Sequence, residues 1–390
     1  MKASERQRII DWLALAQAPG IGPRAVAQLV QQFGSAAAVR SSGRSALAEA
    51  GVSAAAATAF ETPDQAVIDV ALEWAEHPRA AILTLDHPHY PPQLATLSAP
   101  PPVLYVRGDV ALLTEPQLAI VGSRNPTRGG LDTSREFARY LAGLGLTITS
   151  GLAVGIDGAA HAGALQSGRT IAVLGTGPDR AYPAAHRALA RRIAEVGALV
   201  TEFAPGVGPH ASHFPRRNRL ISGLSLGTLV IEAAPRSGSL ITARYAAEQG
   251  KEVFAIPGSI HNPLARGCHE LIRQGAKLVD SAPQILEELS PQLRRFLMEI
   301  PAVSDEPVDA SGPASVIDPE YRLLLDCMGH DPLAPDELIA RSGLPAQAVS
   351  SMLLLLELQG HVSSHPGGRY SLCRDGPSAE GQGPAGVCAH

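Results

Sequence analysis

Leu118-Ala-Ile-Val-Gly-Ser-Arg-Asn-Pro-Thr127 is the stretch from which the fold can be read. Its apolar run, Leu118–Val121, is too short for a buried helix and suits a strand covered on both faces. The run stops at Gly122, Ser123 and Arg124, and a helical pattern follows to about Leu144. The same strand–loop–helix order then repeats. Leu146–Thr149 ends in Ser150-Gly-Leu-Ala-Val-Gly-Ile-Asp157, with a short helix through His161 and Leu165. Thr170–Leu174 ends in Gly175-Thr-Gly177 before a helix near 184–196, and Leu199–Thr201 leads into a loop. Thr228–Ile231 ends in Glu232-Ala-Ala-Pro-Arg-Ser-Gly238 before helix 239–249. Glu252–Ile256 ends in Pro257-Gly258, with a helix from about 267 to 275, a last strand Lys277–Val279 and a helix Ala282 to Leu289. Repeated βα units of this length predict an α/β fold whose parallel sheet carries helices on both faces. Ligands of such sheets bind outside the carboxyl ends of the strands. Here those ends carry Gly/Ser-rich loops and arginines, a setting for phosphate.

Outward from this core, residues 1–77 read as a small all-α unit. The turn Pro19-Gly-Ile-Gly-Pro23 between two helical patterns resembles a helix-hairpin-helix. Its only nearby basic residue is Arg24, which favours a structural or accessory role. The core segment is taken as 78–289, with Ala81–Leu85 and Val103–Val106 as extra strands in its proline-rich opening. Residues 290–317 read as a linker, 318–373 as three helices and a hairpin of winged-helix type, and 374–390 as a disordered tail. The hairpin His361–Leu372 is expected to turn at Pro366-Gly-Gly368.

The net charge of −5 is unevenly spread. Residues 1–118 carry 8 basic and 11 acidic side chains, 119–277 carry 18 and 10, and 278–390 carry 6 and 16. An anionic partner therefore belongs to the middle segment. The third winged-helix segment, Pro345 to Gln359, has no Lys or Arg, which argues against duplex DNA there and for an interaction or regulatory module. Four scattered cysteines suggest neither disulfides nor zinc. No apolar run reaches the roughly 18 residues of a membrane span, and the N-terminus lacks a signal-peptide core. The expectation is a cytoplasmic protein with no membrane partner.

The densest chemistry lies in His213-Phe-Pro-Arg-Arg-Asn-Arg-Leu-Ile-Ser-Gly-Leu-Ser225. Arg216, Arg217 and Arg219 beside Phe214 offer phosphate contacts and a stacking face, as a single-stranded polyanion requires. The same run also fits a helix start whose arginines pair with carboxylates. No loop spells G-x-G-x-x-G or a Walker A pattern, so no dinucleotide, ATP or other cofactor is expected. Ser150, Asp157 and His161 invite a catalytic reading, but Asp157 fits a helix cap and His161 a packed side chain. No catalytic or metal-ligating residue is assigned.

Ala119-Ile-Val-Gly-Ser-Arg124, Ser150–Asp157 with His161, Phe214-Pro-Arg-Arg-Asn-Arg219, Arg236-Ser-Gly-Ser-Leu-Ile-Thr-Ala243 and Val253-Phe-Ala-Ile-Pro-Gly258 resemble the successive motifs of the DNA-processing protein A (DprA/Smf) family. The resemblance runs from about 82 to 288. It implies an extended Rossmann-like sheet flanked by a helix-hairpin-helix/SAM-like domain and a winged helix. It further implies a homodimer that binds single-stranded DNA, protects incoming DNA in natural transformation and loads RecA. The implied pocket uses Gly122, Ser123 and Arg124 with Phe214, Arg217, Asn218 and Arg219. Arg216 joins from the arginine run, and Ser150, Gly151, Ser237 and Gly238 from neighbouring strand ends. Where some members have a lysine three residues before the Phe, this chain has Ala211, with His210 and His213 nearby. Leu271 and Ile285 are the candidates for contact with a second copy, while packing of both on the last strand, Lys277–Val279, is the slightly favoured alternative. The middle segment is also similar in plan to lysine-decarboxylase-like phosphoribohydrolases, so a nucleotide-handling enzyme is the alternative.

Overall fold

The structure, a computed structural model, describes residues 3–299, 319–328, 333–358, 361–365 and 368–372. Two compact units divide the chain at 289/290. In the first, six helices open the chain: α1 (Ala3–Gln17), α2 (Pro23–Phe33), α3 (Ala36–Ser41), α4 (Arg44–Glu49), α5 (Ala54–Glu61) and α6 (Gln65–Ala75). Side-chain oxygens of Ser35, Ser53 and Asp64 accept from backbone N–H groups and so cap α3, α5 and α6. Gly20, at φ 76°, makes the turn between α1 and α2.

The sheet unit follows: β1 (Ala80–Thr84), α7 (Pro92–Ala95), β2 (Val103–Gly108), β3 (Gln117–Gly122), α8 (Arg128–Gly143), β4 (Thr147–Ser150), α9 (Ile156–Ala164), β5 (Thr170–Val173) and α10 (Arg187–Val196). It continues through β6 (Ala198–Thr201), α11 (His213–Leu224), β7 (Gly227–Ile231), α12 (Ser239–Glu248), β8 (Glu252–Ala255), α13 (Arg266–Arg273), β9 (Lys277–Leu278) and α14 (Ala282–Glu299). Trp12, Phe60 and Leu72 share a core with Ile82, Val103 and Tyr105, so the helices are packed onto β1 and β2.

The nine strands lie in the order β1-β2-β6-β5-β4-β3-β7-β8-β9. β1–β2 and β2–β6 are antiparallel, and every other pair is parallel. From β3 the chain builds outward through β4, β5 and β6, and α11 then carries it back to lay β7 against the other side of β3. This reversal of strand order opens a crevice between the ends of β3 and β7, the usual ligand position in doubly wound sheets. Gly122 pairs in register with Ile231 there, and a Cβ on it would overlap the Ile231 carbonyl and the Ile156 side chain. A glycine is therefore required at the end of β3.

The second unit has its own core. Helices α15 (Pro319–Cys327), α16 (Pro335–Ser342) and α17 (Ala346–Leu358) and the antiparallel pair β10 (Val362–His365) and β11 (Arg369–Leu372) gather Leu324, Leu338, Val349, Met352, Leu353 and Val362. Three helices followed by a hairpin form the expected winged helix. The rest of the expected linker beyond Glu299, Gln359, Pro366-Gly367 and the tail fall outside the described residues.

Two expectations change. The linker was set to begin at 290, yet α14 is helical to Glu299 with Pro291 inside it. Leu286, Leu289 and Leu293 continue one helical stripe, with Leu289 and Leu293 buried, and this outweighs the single N–H that proline lacks. The candidate dimer contacts are also corrected. Ile285 is 0% exposed and belongs to the core, and Leu271 is half-buried against the sheet. The exposed apolar side chain at this edge is Leu278 on β9, 52% exposed.

His161 on α9 is enclosed, its Nδ1 bonded to Thr170 Oγ1 at 2.7 Å while that hydroxyl donates to Ile148 O. Burial holds its pKa down, from 6.5 to about 3. The unfolded chain therefore takes this proton first, so the stability is whole above about pH 6.5 and is lost as pH falls toward 3. Urea unfolding at several pH values should show His161→Gln removing up to about 1.4 kcal/mol per pH unit of slope between pH 6 and 4. An unchanged slope would contradict the buried neutral imidazole.

Candidate nucleic-acid interface

The crevice is a cavity of about 720 Å³ with three walls. Gly122 at the end of β3 and Ser123, Arg124 and Asn125 from the loop after it form one wall, and Phe214, Arg217 and Asn218 come from the first turns of α11. Arg236, Ser237 and Gly238 come from the loop after β7. Ser123 Oγ accepts from Asn125 N at 3.1 Å and shapes the first loop. Asn218 Nδ2 donates to Gly238 O at 3.3 Å, joining the other two walls. Ser237 and Ser239 hydroxyls are 2.7 Å apart at the head of α12, whose N-cap is Gly238 and bears no capping side chain. That helix end presents a partial positive charge to the cavity. The head of α8 is closed instead, because the Glu232 carboxylate accepts from Thr127 N and Thr127 Oγ1 at 2.7 and 2.5 Å.

Two guanidinium groups are free to meet an anion. Arg124 and Arg236 are exposed, line the cavity and have no carboxylate within 4 Å among the described residues. The Arg124 guanidinium lies 5.6 Å from the centre of the Phe214 ring. Tyr182 stands on the same ring, at 5.6 Å between centroids and 42° between planes. Exposed cations beside an aromatic platform fit a phosphate chain carrying flat bases.

The arginine run does not act as one group. Arg217 is 3% exposed, and its Nη1 donates to Val173 O at 2.6 Å. It occupies the space that Gly151 leaves by lacking a Cβ. Burial lowers its pKa to about 10, with the nearby Asp157 opposing that change, so it stays charged at neutral pH. It is a buried structural cation, not the open phosphate contact expected of it. Arg216 and Arg219 turn away from the cavity and share Glu202, at 2.8 and 2.7 Å, while Arg219 also donates to Ala99 O. For these two residues the carboxylate-pairing alternative describes the structure. Helical spacing explains the split: each residue turns about 100°, so 216, 217 and 219 cannot share a face.

Ser150 and Gly151 lie beneath the crevice. Ser150 Oγ donates to Ile120 O, and Gly151 N–H donates to Asp157 Oδ2 at 3.1 Å, so neither meets the cavity as expected. Asp157 also accepts from Ala153 N, and burial raises its pKa, with Arg217 opposing. Ser150, Asp157 and His161 therefore bond to separate partners rather than to one another. Ala211 lines the cavity where a lysine was noted in some family members, whereas His213 stacks on Phe203 at 4.2 Å. Sequence reading passed over Arg236 and Tyr182. Arg236 could have been found, since it follows a strand ending at the same sheet edge, but nothing local marks Tyr182. Among the described residues no cluster of three His, Cys, Asp or Glu could hold a metal, and no helix is long and apolar enough to cross a membrane.

Together these features define a Rossmann-like α/β protein with a winged-helix unit and a cationic, aromatic crevice at its strand-order reversal. The chain belongs to the DNA recombination-mediator protein A family, whose model matches residues 81–290. The DprA winged helix domain model matches 306–368. Protein Smf of Escherichia coli is 47% identical over 309 residues, which is 79% of this chain and 81% of the relative. DNA processing protein DprA of Streptococcus pneumoniae is 47% identical over 202 residues, 51% of this chain and 71% of the relative. Its X-ray structure aligns with a TM-score of 0.65, covering 71% of this chain and 97% of that one. DNA processing protein A from Helicobacter pylori, whose structure concerns its single-stranded DNA binding mode, aligns at 30% identity with a TM-score of 0.51 over 55% of this chain and 98% of that one.

Arg217→Ala should lower stability by about 3–5 kcal/mol, because it leaves buried Asp157 without its neighbouring cation and opens a void. Arg124→Ala, on an exposed loop, should stay within about 0.5 kcal/mol of the parent. Urea midpoints compare the two, and equal losses would contradict the division between structural and open arginines.

Proposed function

We propose that this chain binds single-stranded DNA in the crevice between β3 and β7. The observation that carries the reading is the pair of unpaired arginines, Arg124 and Arg236, lining one cavity with the Phe214 ring, which Arg124 approaches, at the strand-order reversal. The arginines neutralise phosphates, and Phe214, held by Arg124 and Tyr182, stacks a base. The role is binding rather than bond cleavage. The single-stranded DNA binding mode described for the Helicobacter pylori protein supports the same ligand class.

The hand-over of DNA to RecA during natural transformation and the homodimer rest on the family resemblance, and the cytoplasmic location on the sequence features given above. For the dimer we place the second copy at the β9 edge, where Leu278 is exposed beside half-buried Leu271 and Ile272. A two-fold contact there would set each patch against its own copy. Leu278→Glu should give a folded monomer by light scattering, and a variant that stays dimeric would move the interface elsewhere.

Anisotropy titrations with labelled oligo-dT test the crevice. Arg124→Ala and Arg236→Ala should each weaken binding and reduce the salt slope by about 0.7. Phe214→Ala should cost about 1–3 kcal/mol with little change in slope. Wild-type affinity in all three variants, or hydrolysis of nucleoside monophosphates in place of oligo-dT binding, would defeat the reading.

A further inference from the structure

A second cavity, of about 700 Å³, opens on the far side of Tyr182. Arg107 reaches it from β2, Asp179, Arg180 and Tyr182 from the loop after β5, and Arg187 and Arg191 from α10. We propose that the strand held in the crevice continues past the Phe214–Tyr182 pair into this cavity, where Arg107, Arg187 and Arg191 hold its phosphate backbone. The proposal rests on the crevice reading and extends it.

Four observations carry it. Arg107, Arg187 and Arg191 are all exposed, and none has a carboxylate within 4 Å among the described residues. The one acidic side chain in the lining, Asp179, is already engaged by Arg180 and by the N–H of Gly206. Arg187 and Arg191 lie one turn apart on the same face of α10. Like charges at that spacing repel. Arg187 also opens the helix, at the positive end of its dipole, with no acidic residue in the first turn. Both placements work against the fold unless an anion arrives to relieve them.

Tyr182 decides what kind of anion. It is 47% exposed, lines the second cavity and touches Phe214, which lines the first, so the aromatic pair is the wall common to both. A lone phosphate would use the arginines and leave the ring idle. A single-stranded nucleic acid uses both, with a base on each ring and phosphates on the arginines to either side.

The test is anisotropy with oligo-dT of about four and about sixteen nucleotides, lengths at the two ends of the range bound by compact single-strand sites. The full-length chain, Arg124→Ala, Tyr182→Ala and the double variant Arg187→Gln/Arg191→Gln are compared. The double variant should bind the short strand like the parent. On the long strand it should lose roughly tenfold in affinity and about 1.4 in salt slope, for two lost contacts. Tyr182→Ala should weaken the long strand at nearly unchanged slope. The melting temperature of the double variant should hold or rise, since a repulsion has been removed. Parental affinity and slope on the long strand overturn the proposal, while a weak Arg124→Ala in the same series leaves the crevice reading standing. Equal loss at both lengths also overturns it, because the effect would then be general charge. Thermal stabilisation by inorganic phosphate that the double variant loses, with long-strand binding intact, makes the cavity a free-phosphate site and overturns it too.

Discussion

A guanidinium with almost no contact with water lies under the crevice and ties its walls together. Arg217 donates to the end of β5, fills the space kept open by Gly151 after β4, and lies in the field of Asp157 at the head of α9. Asp157 in turn gathers the N–H groups of Gly151 and Ala153. A charge in such a place is costly unless bonded and compensated, so its position is sharply defined. That position sets the rotation of α11. With Arg217 directed inward, Phe214 and Asn218 necessarily share the crevice face, and Arg216 and Arg219 are carried round to Glu202.

The free charge of the crevice is what remains after this internal pairing. Glu202 takes two of the three clustered arginines, and Glu232 closes the head of α8. Arg124 and Arg236 are left, both at the carboxyl ends of β3 and β7. Local charge density in the sequence thus overstates the number of open cations on α11 and misses one on the neighbouring loop. The chemistry comes from the crossing of three loops rather than from any single motif.

Most of the sheet was legible because parallel strands buried on both faces appear as short apolar runs closed by glycine, as at Leu118–Gly122 and Thr170–Gly175. The winged helix was legible from three helical patterns and a hairpin. Phe214 could be read from its place at a helix start beside the arginine run, whereas Arg124 and Asn218 were implied by the family resemblance. Ser150, Arg216 and Arg219 could not be placed. A serine at a strand end reads alike whether its hydroxyl faces a ligand or the Ile120 carbonyl, and three arginines in four residues do not reveal which one a helix buries. Ile285 stood open between core and interface because an apolar helix stripe does not say whether its own sheet or a second copy covers it, and its burial decides for the core. Residues 290–299 were misread because Pro291 suggested a break where an apolar stripe sustained the helix.

A single strand bound here lies along the aromatic platform of the crevice. Ultraviolet cross-linking of oligo-dT to the full chain, with the modified peptides mapped by mass spectrometry, tests it most directly. Thymine adducts should appear on Phe214 or Tyr182 and be suppressed at high salt. Adducts confined to the winged-helix segment or to α1–α6, with the crevice peptides unmodified, would contradict it.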